Sequence, residues 1–431
     1  MSAQIASIAG LVLMFIIATV LPINMGALAF VGVFVIGLIA HLPAREIFAG
    51  FPGDLFVTLV GITYLFAIAQ NNGTIDWLVQ KAVWLVRGRI AAIPWVMFII
   101  AGVLTAVGAV SPAAVAIIAP IALRFARKYT INPLLMGLLV IHGAQAGGFS
   151  PISVYGGITN QVVERAGLPR NDVALFLASL AFNSALAVVI YLFFRRRPAT
   201  LPDDDRLARG PAELDQQAIA LEPHDGGTDA NLRLDSQRAL TLIGLLALGI
   251  GSVAFDLNVG LLSISVAVLL TLLSPNAQKN AVDQVGWSTV LLITGVVTYV
   301  AVLQKVGTVD MMAAGVSGIG VPLLGALLLC YISGGVSAFA SSVAVLGATI
   351  PLAVPFLLQG HVQAVGVVAA IAVSTTIVDV SPFSTNGALV MANAKGVDSD
   401  RFYRQMLLYS GLVVAVGPLL AWLVLVLPGW I

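Results

Sequence analysis

The chain has 431 residues, of which 59% are hydrophobic and only 10% charged, against about 25% charged in an average soluble domain. So much apolar surface cannot be hidden in a water-facing core. A net charge of +1 offers nothing to a polyanion, and a lone cysteine, Cys330, excludes an intramolecular disulfide or thiolate metal cluster. A secreted enzyme, a nucleic-acid binder and a disordered scaffold are excluded, and a polytopic membrane protein remains.

In chain order, the apolar stretches that read as membrane segments are 5–21, 25–40, 55–69, 90–110, 113–125, 133–148 and 173–194. After a polar strap they continue at 239–255, 259–273, 289–303, 321–336, 343–358, 362–378 and 402–427. The N-terminus lacks a basic n-region and a cleavage site, so 5–21 is read as a retained first helix. The strap, 195–238, holds 16 of the chain's 41 charges, nine acids and seven arginines without an apolar face. It reads as a flexible cytoplasmic linker.

The second half repeats the first. At an offset of 234, Asn24 and Gly26 match Asn258 and Gly260, and Gly61, Gln70, Gly73, Thr74 and Asp76 match Gly295, Gln304, Gly307, Thr308 and Asp310. After a three-residue slip the offset is 231, where Ser111, Pro120, Ser150, Pro151 and Ser153 fall on Ser342, Pro351, Ser381, Pro382 and Ser384. Such a period is a duplicated half-molecule rather than a solenoid. The division expected is 1–194 and 239–431 as two repeats, with 195–238 between them.

Basic residues set the orientation. Arg195, Arg196 and Arg197 place the strap in the cytoplasm. Counting crossings backwards returns Arg124, Arg127 and Lys128 to the same side, along with Lys81, Arg87 and Arg89 beyond residue 90. Both ends of 90–125 then face the cytoplasm, so its two apolar runs form a re-entrant hairpin broken at Ala109–Pro112. The matching hairpin, broken around Ser337–Ser342, has only Lys305 beside it and enters from outside. The fold expected is all-α: two inverted repeats, each with about five crossings and one re-entrant hairpin. Gln70, Asp76, Gln304 and Asp310, with Trp77, Trp84, Trp95, Trp287, Trp422 and Trp430, read as interface anchors.

Inverted repeats with broken helices are the recurring design of secondary transporters. Interrupted backbone at bilayer depth is tolerable only beside protein, water or ligand. The breaks expose Ser111 and Pro112, Ser341 and Ser342, Gly148, Ser150 and Ser153, and Ser381, Ser384, Thr385 and Asn386. Helices starting there aim positive dipole ends and hydroxyls at the midplane, which suits carboxylates. No Lys or Arg lies in 90–123, 132–163 or 306–394, so an anion there must rely on dipoles, hydroxyls, amides and a co-bound cation.

Asp379 is the only carboxylate from 311 to 396. An acid at that depth costs several kcal/mol unless protonated or paired. It reads as a cation or proton site, with a structural helix-end role as the alternative; Thr375, Thr376 and Gly148 complete the candidate Na+ or H+ coupling site. His142 and Gln145, one turn apart, read either as substrate or proton contacts or as hydrogen bonds between helices. No metal cofactor is expected. The four histidines form no HExxH, and no pair of deep carboxylates is placed for acid-base work, so the chain reads as no enzyme.

The stretches LPINMGALAFVGVFVIGL (21–38) and FPGDLFVTLVGITYLFAIAQNNGTIDWLV (51–79) resemble the N-terminal half of the MatC-type dicarboxylate (malonate) carriers. The duplicated hairpins and broken helices resemble the wider ion transporter superfamily, including divalent anion:sodium symporters. The resemblance implies a homodimer in the lipid of a bacterial-type inner membrane, with a fixed scaffold and a moving transport domain working as an elevator. It also implies substrate between hairpin tips and broken helices, with sodium sites alongside. The symporter tips carry Ser-Asn-Thr, whereas this chain reads Ser111-Pro112-Ala113 and Ser341-Ser342-Val343. The function expected is cation-coupled uptake of a small dicarboxylate such as malonate or a C4 acid; the alternative is a cation/proton antiporter of the same architecture.

Overall fold

The computed structural model describes residues 3–21, 23–75, 77–78, 81, 90–195, 234–255, 257–273, 275, 280–308, 311, 322–339, 341–360, 362–394 and 397–429. Most of the expected linker lies outside the described residues, as do Asp76, Asp310, Trp84 and Trp430. Within the described residues the chain is helical, with no strand.

The first half comprises α1 (Ala3–Val20), α2 (Met25–Ile39), α3 (Ala44–Phe48), α4 (Gly53–Asn71), α5 (Ile93–Ala106), α6 (Ser111–Lys128), α7 (Pro133–Gly147), α8 (Val154–Arg165) and α9 (Asp172–Phe194). The second comprises α10 (Ser236–Ala254), α11 (Val259–Leu273), α12 (Trp287–Lys305), α13 (Pro322–Ser337), α14 (Ser342–Leu358), α15 (Ala364–Ile377), α16 (Thr385–Asn393) and α17 (Ser399–Leu425). Each expected apolar run becomes a helix, its start fixed in several cases by a capping side chain that takes up orphan first-turn N–H groups. Asn24 caps α2, Asn132 caps α7, Asn171 caps α9 and Asp235 caps α10. Helix α3 was not anticipated, while α8 and α16 are the helices expected to start at the two breaks.

Helices α4, α9, α12 and α17, and the broken run from α15 into α16, are long and apolar enough to cross a bilayer. Every residue of α7 and all but one of α15 are buried. The flanking α9 and α17 instead leave large apolar side chains such as Val189 and Leu408 exposed, as a lipid-facing surface requires. This is a multi-pass membrane protein built around two buried central helices.

The two halves are interleaved. Helix α2 packs on α12, while its repeat counterpart α11 packs on α4, the counterpart of α12. Glycine permits the close approach at both crossings. A Cβ on Gly26 would stand 2.0 Å from the Leu291 carbonyl, and one on Gly295 2.2 Å from the Gly26 carbonyl. At the other crossing, a Cβ on Gly260 would meet Thr58 N at 2.8 Å, and one on Gly61 would meet the Gly260 carbonyl at 2.8 Å. The hairpins exchange in the same way, α6 packing on α16 and α14 on α8. The repeated Gly-Thr strings also have a shared cause: Gly73 and Gly307 sit just past α4 and α12 at φ +74° and +73°, the left-handed conformation that closes a helix.

Replacing Gly26 or Gly260 by Ala forces backbone apart at equivalent crossings, and each should cost about 1–3 kcal/mol of stability by overpacking. The check is the thermal unfolding midpoint in detergent, with Gly335→Ala, which has nothing within 4 Å of the added carbon, as the control that stays put.

Candidate functional site

Both broken segments solve the same problem of exposed helix ends in the same way. Ser153 caps α8, its hydroxyl accepting from Gly156 N at 3.2 Å and lying 2.5 Å from the Gly148 carbonyl and 2.7 Å from that of Ser150. Ser384 repeats this on α16, accepting from Gly387 N at 3.1 Å and lying 2.5 Å from the Asp379 carbonyl and 2.7 Å from that of Ser381. Ser150 donates to the Ala106 carbonyl at the end of α5, joining the first break to its hairpin. The Ser381 hydroxyl accepts from Phe383 N at 3.3 Å. These four serines spend their side chains on the backbone of the breaks and of the neighbouring hairpin.

Between the two breaks lies a buried polar knot. Asp379, on a 3-10 turn after α15, is 5% exposed. Its Oδ1 accepts from the Ser342 hydroxyl, and its Oδ2 accepts from Gln145 Nε2 at 2.6 Å and Asn386 Nδ2 at 3.4 Å. Asn386 Nδ2 also donates to Ser111 Oγ at 2.9 Å, and Ser342 Oγ lies 2.9 Å from Ser337 Oγ. One carboxylate thus draws together the first residue of α6, the first residue of α14, the end of α7 and the start of α16. Because an ionised carboxylate only accepts, both amides turn their nitrogens toward it. Their oxygens, Gln145 Oε1 and Asn386 Oδ1, are left buried without a partner. No Lys, Arg or His side chain bonds to Asp379 among the described residues.

The structure separates the remaining sequence candidates from this knot. His142 lies between helices, Nδ1 2.9 Å from Asn183 Oδ1 on α9 and Nε2 2.8 Å from the Tyr409 hydroxyl on α17. Asn183 donates to the Ser179 carbonyl, so its oxygen faces His142, which must then donate from Nδ1 and accept from Tyr409. Thr375 and Thr376 turn their hydroxyls back onto carbonyls of α15, and Thr375 meets the knot only through its carbonyl, 3.4 Å from Ser342 Oγ. The Gly148 carbonyl is taken up by Ser153 and Gly156. Sequence reasoning missed Ser337, whose hydroxyl meets that of Ser342, and Tyr155, buried in the first turn of α8 against Phe149. Tyr155 was detectable, since at offset 231 it stands where the second half has Asn386.

Beside the knot opens a cleft of about 340 Å³. The hairpin tips supply Val110, Pro112, Ser341, Val343 and Ala344, the second break supplies Thr385, and the far wall includes Asn24, Met25, Ser288 and Thr289. Helices α2, α6, α12, α14 and α16 therefore all begin at or beside this cleft. The starts of α6 and α14 have no side-chain cap, although Ser341 stands at the latter. At α6 Pro112 has no N–H and Ala113 N already bonds the Val110 carbonyl, so it is the uncapped first turn of α14 and the converging positive dipole ends that make a setting for an anion. None of the lining residues is charged. Asp379 stands behind the wall, joined to it through Ser342. Among the described residues, no three His, Cys, Asp or Glu side chains gather as a metal site.

Residues 1–148 match the family described as the dicarboxylate carrier protein MatC N-terminus. No curated protein matches the sequence. Among solved structures, the YdaH transporter of Alcanivorax borkumensis is similar over 88% of this chain and 86% of its own, at 15% identity and a TM-score of 0.58. At that identity the likeness is one of fold. The N-terminal third thus matches a dicarboxylate carrier family, and the fold shared with YdaH extends through nearly the whole of this multi-pass membrane chain.

Proposed function

We propose that the chain is a secondary active transporter that takes up a small dicarboxylate, malonate or a C4 acid, together with Na+ or H+. The observation that carries this reading is the Asp379 knot beside a cleft without cationic side chains. The helix starts around the cleft suit a carboxylate group, and the size of the cleft suits a small acid rather than a bare ion. Asp379 with the unpartnered oxygens of Gln145 and Asn386 offers three oxygen donors to a small cation, or a carboxylate that can carry a proton. The match of residues 1–148 to a dicarboxylate carrier family supports the substrate class.

The reading includes inverted repeats that alternate access in the manner of an elevator. The reciprocal packing of α2 on α12 and α11 on α4 supports a two-fold relation between halves. The departures from that relation support a structure caught on one side of the cycle. Arg165 at the end of α8 forms a two-bond ion pair with Asp54 at the start of α4. One turn along, Gln161 Nε2 donates to Thr58 Oγ1. At the repeat positions the second half has Ser288 for Asp54 and Leu292 for Thr58, and both line the open cleft. On the orientation read from the basic residues, the Asp54–Arg165 clasp closes the outer face and the cleft opens inward.

Two experiments test this. In proteoliposomes, labelled malonate should accumulate under an inward sodium or proton gradient. Asp379→Asn should abolish accumulation while the protein still elutes as a folded species, with a stability cost of about 1–3 kcal/mol for the mispaired amide. Unchanged cation dependence would remove Asp379 from the mechanism, and sodium-for-proton exchange independent of malonate would replace the reading with an antiporter. Breaking the clasp with Asp54→Asn should raise labelling of Ser341→Cys by a membrane-impermeant thiol reagent from outside. A half-exposed pair worth about 0.2–1 kcal/mol predicts a rise of about 1.5–5-fold, and the exchanged pair Asp54→Arg with Arg165→Asp should reverse it.

A further inference from the structure

The two broken segments are one backbone bearing two different chemistries. At an offset of 231, α8 starts at Val154 and α16 at Thr385, and the capping serines make equivalent bonds. In this frame Ser111 corresponds to Ser342, Gly148 to Asp379, and Tyr155 to Asn386. The carboxylate and the amide of the second half are thus replaced in the first by a hydrogen atom and an aromatic ring.

The two replacements fit each other. A Cβ on Gly148 would stand 2.9 Å from Tyr155 Cδ2, so the ring fills the room that a carboxylate side chain would need. Tyr155 is 2% exposed and packs on Phe149 with ring centroids 5.5 Å apart. Charge argues the same way. No Asp or Glu occurs between residues 77 and 163, so a cation beside Gly148 would have no counter-charge from its own hairpin or break. A buried ion without one costs several kcal/mol. Gln145, near the end of α7, reaches across and donates Nε2 to Asp379 instead, which leaves its oxygen buried without a partner.

We infer that the transporter moves a single cation per cycle, held at Asp379, Gln145 and Asn386, and that the symmetry-related second cation position is closed by Tyr155 packed over Gly148. The inference rests on the cation-coupled reading and adds to it the number of coupling ions, which follows from the broken symmetry of the two halves.

The test uses the unaltered protein in proteoliposomes with the membrane potential clamped at zero. Labelled malonate is followed to its steady level under a tenfold inward sodium gradient at equal pH, then under a tenfold proton gradient without sodium, with accumulation expressed for the dianion. A tenfold gradient is worth about 1.4 kcal/mol per ion. Coupling to one ion should therefore hold malonate at about tenfold inside over outside for the ion that drives it. A level near a hundredfold would mean two ions and overturn the single-site assignment while leaving cation coupling intact. Equilibration without accumulation under both gradients would overturn cation coupling itself, and this inference with it.

Discussion

A carboxylate buried at the meeting point of two hairpins, held only by neutral donors, is the constraint on which the middle of this protein is built. Among the described residues Asp379 has no cationic partner, and its cost in a low-dielectric interior is offset by hydrogen bonds from Ser342, Gln145 and Asn386. Those donors sit on different elements, Gln145 near the end of α7 and Ser342 and Asn386 at helix starts that a continuous helix would not provide. The helix breaks, the uncapped starts of α6 and α14 and the exchange of hairpins between halves all bring donors to one point. A protein that only needed to span a bilayer would have no use for any of them.

Much of this arrangement was legible in the sequence because membrane constraints are strong. Apolar runs forecast the helices, and the Ser-Pro steps forecast the breaks, since a free backbone group at that depth needs a special reason to exist. The duplicated positions pointed to Ser111, Ser342 and the capping serines as a related set, and the rarity of deep acids singled out Asp379. What could not be read was who bonds to whom. His142 and Gln145 lie one turn apart on one helix, yet Gln145 joins the knot while His142 is held between Asn183 and Tyr409. The spacing says that they point in similar directions, but only the placement of α9, α15 and α17 decides what each meets. Helices were expected to start at the breaks, but the extents of α8 and α16 were not legible because their polar, Gly-containing sequences carry little of the apolar signal that marks a span.

Symmetry, and the places where it fails, divide the labour within the fold. Where the halves agree, as at the glycine crossings and the serine caps, the residues serve packing and backbone satisfaction. Where they differ, the chemistry differs. Asp379 stands against Gly148, Asn386 against Tyr155, and Asp54 against Ser288. The first two set an acidic site on one side of the knot only, and the third sets an ion pair opposite an open cleft. The two breaks share one serine-capped geometry, while the residues set on it differ.

The exchanged packing of α2 with α12 and of α4 with α11 also bears on how the chain is made. Gly26 and Gly61 each present a groove whose complement lies more than 190 residues further along the chain. During synthesis the first half enters the bilayer before either partner exists, so lipid tails must line those grooves until α11 and α12 arrive and displace them. Assembly is therefore a late, long-range event, completed only when α11 and α12 pack back onto the first half.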